Sequence, residues 1–140
     1  MSVKYFLDTN ILVYTFAADL PAKQKKALEL VGEALEDGNG IISSQVAQEF
    51  LNVALHKFEK PLSWEESYHY FEEVLESLCG VYASPELYRR ALQLRHETGY
   101  RFYDALIIAS ALEGGCKVLY SEDLQHGRKI SDLSIKNPFR

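Results

Sequence analysis

The sequence predicts an α/β fold, a three-layer sandwich with a central parallel sheet of four to five strands flanked by helices. Three observations carry this. Short apolar runs alternate with longer stretches of helical periodicity along the whole chain. The runs are nearly continuous rather than alternating, as in strands covered on both faces. Successive runs are separated by a helix, which implies parallel pairing through crossovers. The 140 residues suit one domain over 1–140, and no repeat, low-complexity segment or interdomain linker divides them.

Val3–Leu7 is the first run, and Asp8-Thr9-Asn10 follows it directly. Ile11–Ala18 reads as a short helix. Asp19-Leu20-Pro21 opens a second helix, with proline in the first turn, where its missing N–H is not needed. That helix runs to about Glu36, and Gly38 stands where a helix stop is expected. Gly40–Ser43 is the second strand, and Ser44 is placed to cap a helix over about Gln45–Phe58. Ser63-Trp64-Glu65-Glu66 has the serine-to-glutamate spacing of a capping box and opens a helix to about Leu78. Val81–Ala83 is read as the third strand, and Ser84-Pro85 starts a helix that Gly99 stops. Tyr103–Glu113 forms the next helix, ended by Gly114-Gly115. Lys117–Tyr120 is the fourth strand and Leu133–Lys136 a fifth.

Hydrophobic residues make up 47% and charged residues 25%, which excludes wholesale disorder. The 20 acidic residues exceed the 15 basic ones, so a general polyanion-coating role is excluded. Residues 1–70 hold 6 Lys/Arg against 10 Asp/Glu, whereas residues 71–140 hold 9 against 10. The second half is therefore the better place for a polyanion contact. Cys79 and Cys116 lack metal-site spacing and read as free thiols of a reducing compartment. No stretch approaches the ~20 apolar residues of a membrane span. Asp8 and Asn10 interrupt the first apolar run, unlike a signal peptide, so a soluble cytoplasmic protein is expected.

In parallel α/β sheets chemistry gathers beyond the carboxyl ends of the strands. Asp8 lies at the end of the first strand, and Glu122 and Asp123 at the end of the fourth. Asp8 either caps the following helix or serves a site. Glu49 belongs to a polar stripe with Gln45, Asn52 and His56, which is a solvated face or, one turn from the helix start, a reach back to the same edge. Asp104 opens a helix that is apolar almost all round, where it either meets the helix dipole or points into a cleft. Taken together, Asp8, Glu49, Asp104 and Asp123 fall on one side of the sheet. Two like charges at ~4 Å cost about 4 kcal/mol at an effective dielectric near 20, and a cation would relieve that cost. Oxygen ligands select Mg²⁺ or Mn²⁺ over zinc, and such ions support phosphodiester hydrolysis.

These residues resemble a known family. Asp8-Thr9-Asn10 after a strand, Glu49 early in a helix, Phe102-Tyr103-Asp104-Ala105-Leu106-Ile107 opening a buried helix, and Ser121-Glu122-Asp123 after a strand are similar to the PIN domain. Ile135-Lys136-Asn137-Pro138-Phe139 resembles its C-terminal strand, so the likeness spans nearly the whole chain. The resemblance implies a Mg²⁺- or Mn²⁺-dependent endoribonuclease of the VapC toxin type, homodimeric and held inactive by a cognate antitoxin. Asp8, Glu49, Asp104 and Asp123 match the acidic metal-binding positions, and Asn10 and Ser121 match polar positions beside them. Asp8, Asp104 and Asp123 would hold the metal, and Glu49 would orient or deprotonate the attacking water. Glu122 competes with Asp123 for the fourth position. Arg101, or Arg128 and Lys129, would offset charge on the RNA backbone or simply face solvent.

Three other readings stand beside this one. Asp8 followed by Thr9 suits an aspartyl-phosphate enzyme, but that chemistry wants a second aspartate where Asn10 stands, and no lysine is evident for it. The acids of an inactive PIN-like binding module would be relics. A flap nuclease would need a helical clamp for which the chain lacks room. Among other features, most of the nine tyrosines suit core or interface, and His126 lies near Asp123 without ligand spacing.

Overall fold

Fully buried apolar residues set the strands: Phe6 and Leu7, Ile42, Leu119, and Leu133 with Ile135. The computed structural model describes residues 3–140. It begins with β1 (Tyr5–Leu7), α1 (Thr9–Tyr14), α2 (Pro21–Asp37), β2 (Gly40–Ser43) and α3 (Ser44–His56). Next come α4 (Trp64–Tyr70), a π-helical stretch (Phe71–Leu75), α5 (Glu76–Leu78), β3 (Cys79–Val81), α6 (Pro85–Thr98) and α7 (Phe102–Glu113). The chain closes with β4 (Val118–Tyr120), β5 (Lys129–Ile130) and β6 (Leu133–Lys136). The sheet order is β3-β2-β1-β4-β6-β5. β1 pairs in parallel with both β2 and β4, with Phe6 opposite Ile41 and Leu119. Parallel pairing extends to β3 and β6, and only β5 is antiparallel, folded back on β6 as a hairpin.

The α/β architecture with a mainly parallel sheet is as expected, with differences of detail, among them a first helix at Thr9–Tyr14 rather than Ile11–Ala18, since Asp8 caps it directly at the strand end. The described residues form six strands rather than four to five, because Lys129–Ile130 adds an antiparallel edge. The third strand lies at Cys79–Val81, two residues before the expected Val81–Ala83, and Gly80 sits inside it against the Ile41 side chain. The cap of α3 is Ser43 rather than Ser44: Ser43 keeps extended backbone and its hydroxyl accepts from Val46 N–H. The helix over Trp64–Leu78 contains the π-helical stretch. The capping box at its start is formed, with Glu66 N–H donating to Ser63 Oγ (3.1 Å) and Ser63 N–H to Glu66 Oε1 (2.9 Å).

The helices pack on this sheet through Ile11 and Leu12 of α1, Leu30 and Val31 of α2, Val46 and Phe50 of α3, and Ala105–Ala111 of α7. No helix is long and apolar enough to cross a membrane among the described residues. Strand order reverses at β1: the chain passes from β1 to β2 on one side, and later returns to β4 on the other. The crevice beyond the carboxyl ends of β1 and β4 is therefore the topological place for a site. Asp8 and Ser121 follow those two ends.

Candidate active site

Asp8 leaves β1 in extended conformation and caps α1, accepting Thr9 N–H at 2.7 Å. Its other oxygen accepts the Ser121 hydroxyl at 2.7 Å, so the ends of β1 and β4 are tied together. Ser121 is completely buried, and its oxygen also accepts the N–H groups of Asp123 (3.2 Å) and Leu124 (3.3 Å), fixing the turn that carries Asp123. Asp8 itself is 9% exposed. Burial raises its carboxyl pKa to about 6; the two hydrogen bonds oppose this, and the negative charges of Glu49 and Asp123 add to it.

Glu49 sits on the second turn of α3 with both oxygens engaged. Thr9 Oγ donates to Oε1 at 2.5 Å, and Gln45 Nε2 donates to Oε2 at 3.2 Å. The same Gln45 amide reaches Tyr103 carbonyl oxygen at 3.3 Å, linking α3 to the first turn of α7 beside Asp104. Asp123 is exposed, yet its pKa is raised from its ordinary value, first by partial desolvation and then by the charges of Glu122 and Asp104, while Asn10 opposes the rise. The Asn10 amide is near enough to Asp123 to act on it electrostatically, yet neither its nitrogen nor its oxygen makes a well-formed hydrogen bond, and both are buried.

The four expected acids are thus electrostatically linked, Asp8 to Glu49 and Asp123, and Asp123 to Asp104. None of them forms an ion pair among the described residues. Glu122 turns elsewhere. It accepts the Tyr14 hydroxyl and pairs with Lys23 Nζ at 2.6 Å. Partial burial pushes its carboxyl up, but these two donors outweigh that and hold it below the usual range. An open groove of about 520 Å³ runs past Thr9, Asn10, Glu49, Asn52, Lys57 and Asp123.

The donor set suits a hard divalent cation: four carboxylates and an unpartnered buried Asn10 amide oxygen, all oxygen. No three acidic, histidine or cysteine side chains are gathered at ligating distance among the described residues. Mg²⁺ does not require such a cage, since it commonly binds through one or two carboxylates and keeps several waters.

The basic candidates are dispersed. Arg101 is exposed and immediately precedes α7 without a side-chain capping bond. Arg128 lies over the Tyr100 ring at 4.8 Å, and Lys129 is exposed on β5. His126 Nδ1 accepts Asn137 N–H at 2.9 Å, a tie between the loop after β4 and the C-terminal segment. Three site residues escaped the sequence reading. The Gln45–Glu49 spacing of four residues on one helix was a usable signal for their contact. Thr9 stands in the Asp8-Thr9-Asn10 motif, but no spacing marks the contact of its hydroxyl with Glu49, 40 residues on. Lys57 follows the end of α3, outside any periodic pattern.

Comparison with known proteins fits this geometry. No curated protein matches the sequence. Among solved structures, a toxin–antitoxin complex from Klebsiella pneumoniae matches with a TM-score of 0.69 and 20% identity, over 96% of this chain and 98% of that chain. VapBC2 from Rickettsia felis, bound to a DNA fragment from its promoter, matches with a TM-score of 0.60 and 23% identity, over 95% and 97%. PAE2754 from Pyrobaculum aerophilum matches with a TM-score of 0.55 and 24% identity, over 88% and 83%. At these identities the likeness is one of fold. The model of the PIN domain family, by contrast, matches the sequence itself over residues 5–130, from the first strand through the turn that carries Asp123 and on to β5, and the chain therefore belongs to the PIN domain family.

Proposed function

We propose that this protein is a Mg²⁺- or Mn²⁺-dependent endoribonuclease, the toxin of a toxin–antitoxin pair. PIN domains are generally nucleases, and the structural neighbours include toxin–antitoxin complexes. The observation that supports the reading is that Asp8 and Asp123 each feel the charge of neighbouring acids, Glu49 and Asp104 among them, with no cationic side chain paired to any of the four among the described residues. Such an arrangement is costly unless it serves to hold positive charge. A bound divalent cation would supply neutralisation of phosphoryl oxygens and a lowered pKa for water.

The chain's own groups do the rest. Asp8, Asp104 and Asp123 would hold the cation, with Asp8 locked by Ser121 and Thr9. Glu49, steadied at both oxygens by Thr9 and Gln45, aligns the attacking water and takes its proton. Asn10 donates from its amide toward the phosphate or Asp123. Lys57 on the groove wall and Arg101 beside α7 meet the RNA backbone. An aspartyl-phosphate route through Asp8 is disfavoured because Asn10 stands where that chemistry wants a second aspartate.

The exposed aromatic side chains of Trp64, Tyr68 and Phe71, with Trp64 stacked on Tyr68, suit an antitoxin, as an exposed apolar patch marks a protein partner. A homodimer acting in the cytoplasm completes the proposal. The experiment is RNA cleavage by purified protein with Mn²⁺, comparing wild type with Asp104→Asn. Loss of cleavage in a folded variant supports the reading, and wild-type rates in the variant overturn it.

A further inference from the structure

A second cavity, of about 330 Å³, opens beside the acids, between the start of α3 and the adjoining parts of α6 and α7. Among the described residues no charged side chain lines it. Its walls are aromatic and apolar at Tyr88, Phe102, Tyr103 and Leu87, with hydroxyl and amide groups at Ser44 and Gln48. Tyr103 is 66% exposed and Tyr88 44%, so both rings are free of the core. This lining suits a flat, neutral heterocycle with polar edges, whereas the groove past Glu49 and Asp123 does not.

Gln45 is the partition between the two. It lines the cavity while its Nε2 holds Glu49 and the Tyr103 carbonyl. Reversing the amide would set its oxygen against two acceptors, so the orientation is determined. Its Oε1 is then left buried and without a partner, the one such side-chain atom among the cavity-lining residues described. A buried acceptor of this kind is unfavourable until an N–H reaches it. A polynucleotide answers these features: phosphates for a cation that the acids would hold, and an unstacked base for the uncharged cavity.

We propose that this cavity is a base-binding subsite, which receives an unpaired, amino-bearing nucleobase next to the scissile phosphate. The base lies against Tyr103 and Tyr88 and donates its N–H to Gln45 Oε1. The inference rests on the nuclease reading above and specifies its substrate as single-stranded RNA with a splayed base.

The test is fluorescence anisotropy in chelator, with labelled oligoadenylate and an abasic ribose-phosphate oligomer of equal length. Ala83 is exposed and lines the cavity, so Ala83→Trp fills it without entering the core. Wild type is expected to bind oligoadenylate about tenfold or more tightly than the abasic oligomer, and Ala83→Trp to lose that preference. Tyr103→Ala carries the same expectation should Ala83→Trp fail to fold. With Mn²⁺, the ratio of RNA cleavage to cleavage of bis(p-nitrophenyl) phosphate, which has no base, falls by a similar factor in these variants. Equal binding of the two oligomers by wild type overturns the subsite. So does a filled variant that keeps its base preference but changes oligomeric state in sedimentation, since a second copy then covers the cavity. If wild type cleaves neither substrate, the nuclease reading fails, while the anisotropy comparison still decides the subsite.

Discussion

Replacing Asp8 by asparagine should make the metal-free protein more stable at neutral pH, although Asp8 is a proposed ligand. Its pKa rises from 3.8 to about 6, chiefly through burial. A rise of about 2 units corresponds to about 3 kcal/mol of preference for the neutral form. The folded state holds this proton more tightly than the unfolded state. Stability therefore falls as pH climbs from about 4 through about 6, and levels off above. Asparagine never ionises, so it avoids the penalty. Its single carbonyl cannot serve both Thr9 N–H and Ser121 hydroxyl as the carboxylate does, and the Ser121 oxygen already accepts two N–H groups, so one of the two bonds is given up in a local rearrangement. Allowing about 1 kcal/mol for that rearrangement leaves a gain of about 2 kcal/mol at pH 7.5, a rise of about 7 °C in Tm for a chain of this size. Thermal melts of both proteins in chelator, at pH 7.5 and pH 4, measure it. The gain should be absent at pH 4. A destabilised variant at pH 7.5, or the same shift at both pH values, would refute the argument that burial of charge dominates at Asp8. With Mn²⁺ added the order should reverse, as wild type gains the larger rise in Tm.

Three further outcomes follow from the geometry. Asp123→Asn should reduce RNA cleavage at least a hundredfold while Glu122→Gln stays within a few-fold of wild type, in steady-state assays, because Glu122 is committed to Lys23 and Tyr14. Lys57→Ala should weaken RNA binding across sequences and reduce the slope of log K against log salt by about 1, read by titration at several ionic strengths. Gly40→Ala should cost about 1–3 kcal/mol in denaturant unfolding, since an added Cβ would collide with Ala34 Cβ and lie 2.6 Å from the Tyr5 ring.

The parallel core of the fold was legible because Phe6-Leu7, Ile41-Ile42 and Val118-Leu119 are short apolar runs set apart by helices with clear boundary residues, such as Pro21, Gly38, Ser63 and Gly99. The β5–β6 hairpin was not, as the two residues Lys129–Ile130 are too few to show any period. β3 was displaced because Gly80 reads as a helix stop, while here it belongs to the strand and lies against Ile41. The π-helical stretch at Phe71–Leu75 shifts the phase of an otherwise ordinary helical pattern, and one added residue per turn leaves no compositional mark. For the site, strand-end acids were visible as Asp8 and Asp123. Their environment was not: the link through Ser121 spans 113 residues, and the Thr9–Glu49 contact spans 40. Sequence spacing could not separate Glu122 from Asp123 either. The separation comes from Lys23 on α2, which approaches only in the folded chain.

The sheet ends on one side in the two residues of β5 and on the other in the three of β3. So little unpaired backbone at either margin gives an incoming extended segment almost nothing to zip onto, and Lys129 adds a charge at one rim. Assembly by strand addition is correspondingly disfavoured, whether with a regulator or in runaway stacking of copies. Whatever docks on this protein must grip side chains on helices and loops, so its affinity will be tunable by single surface substitutions rather than by main-chain register.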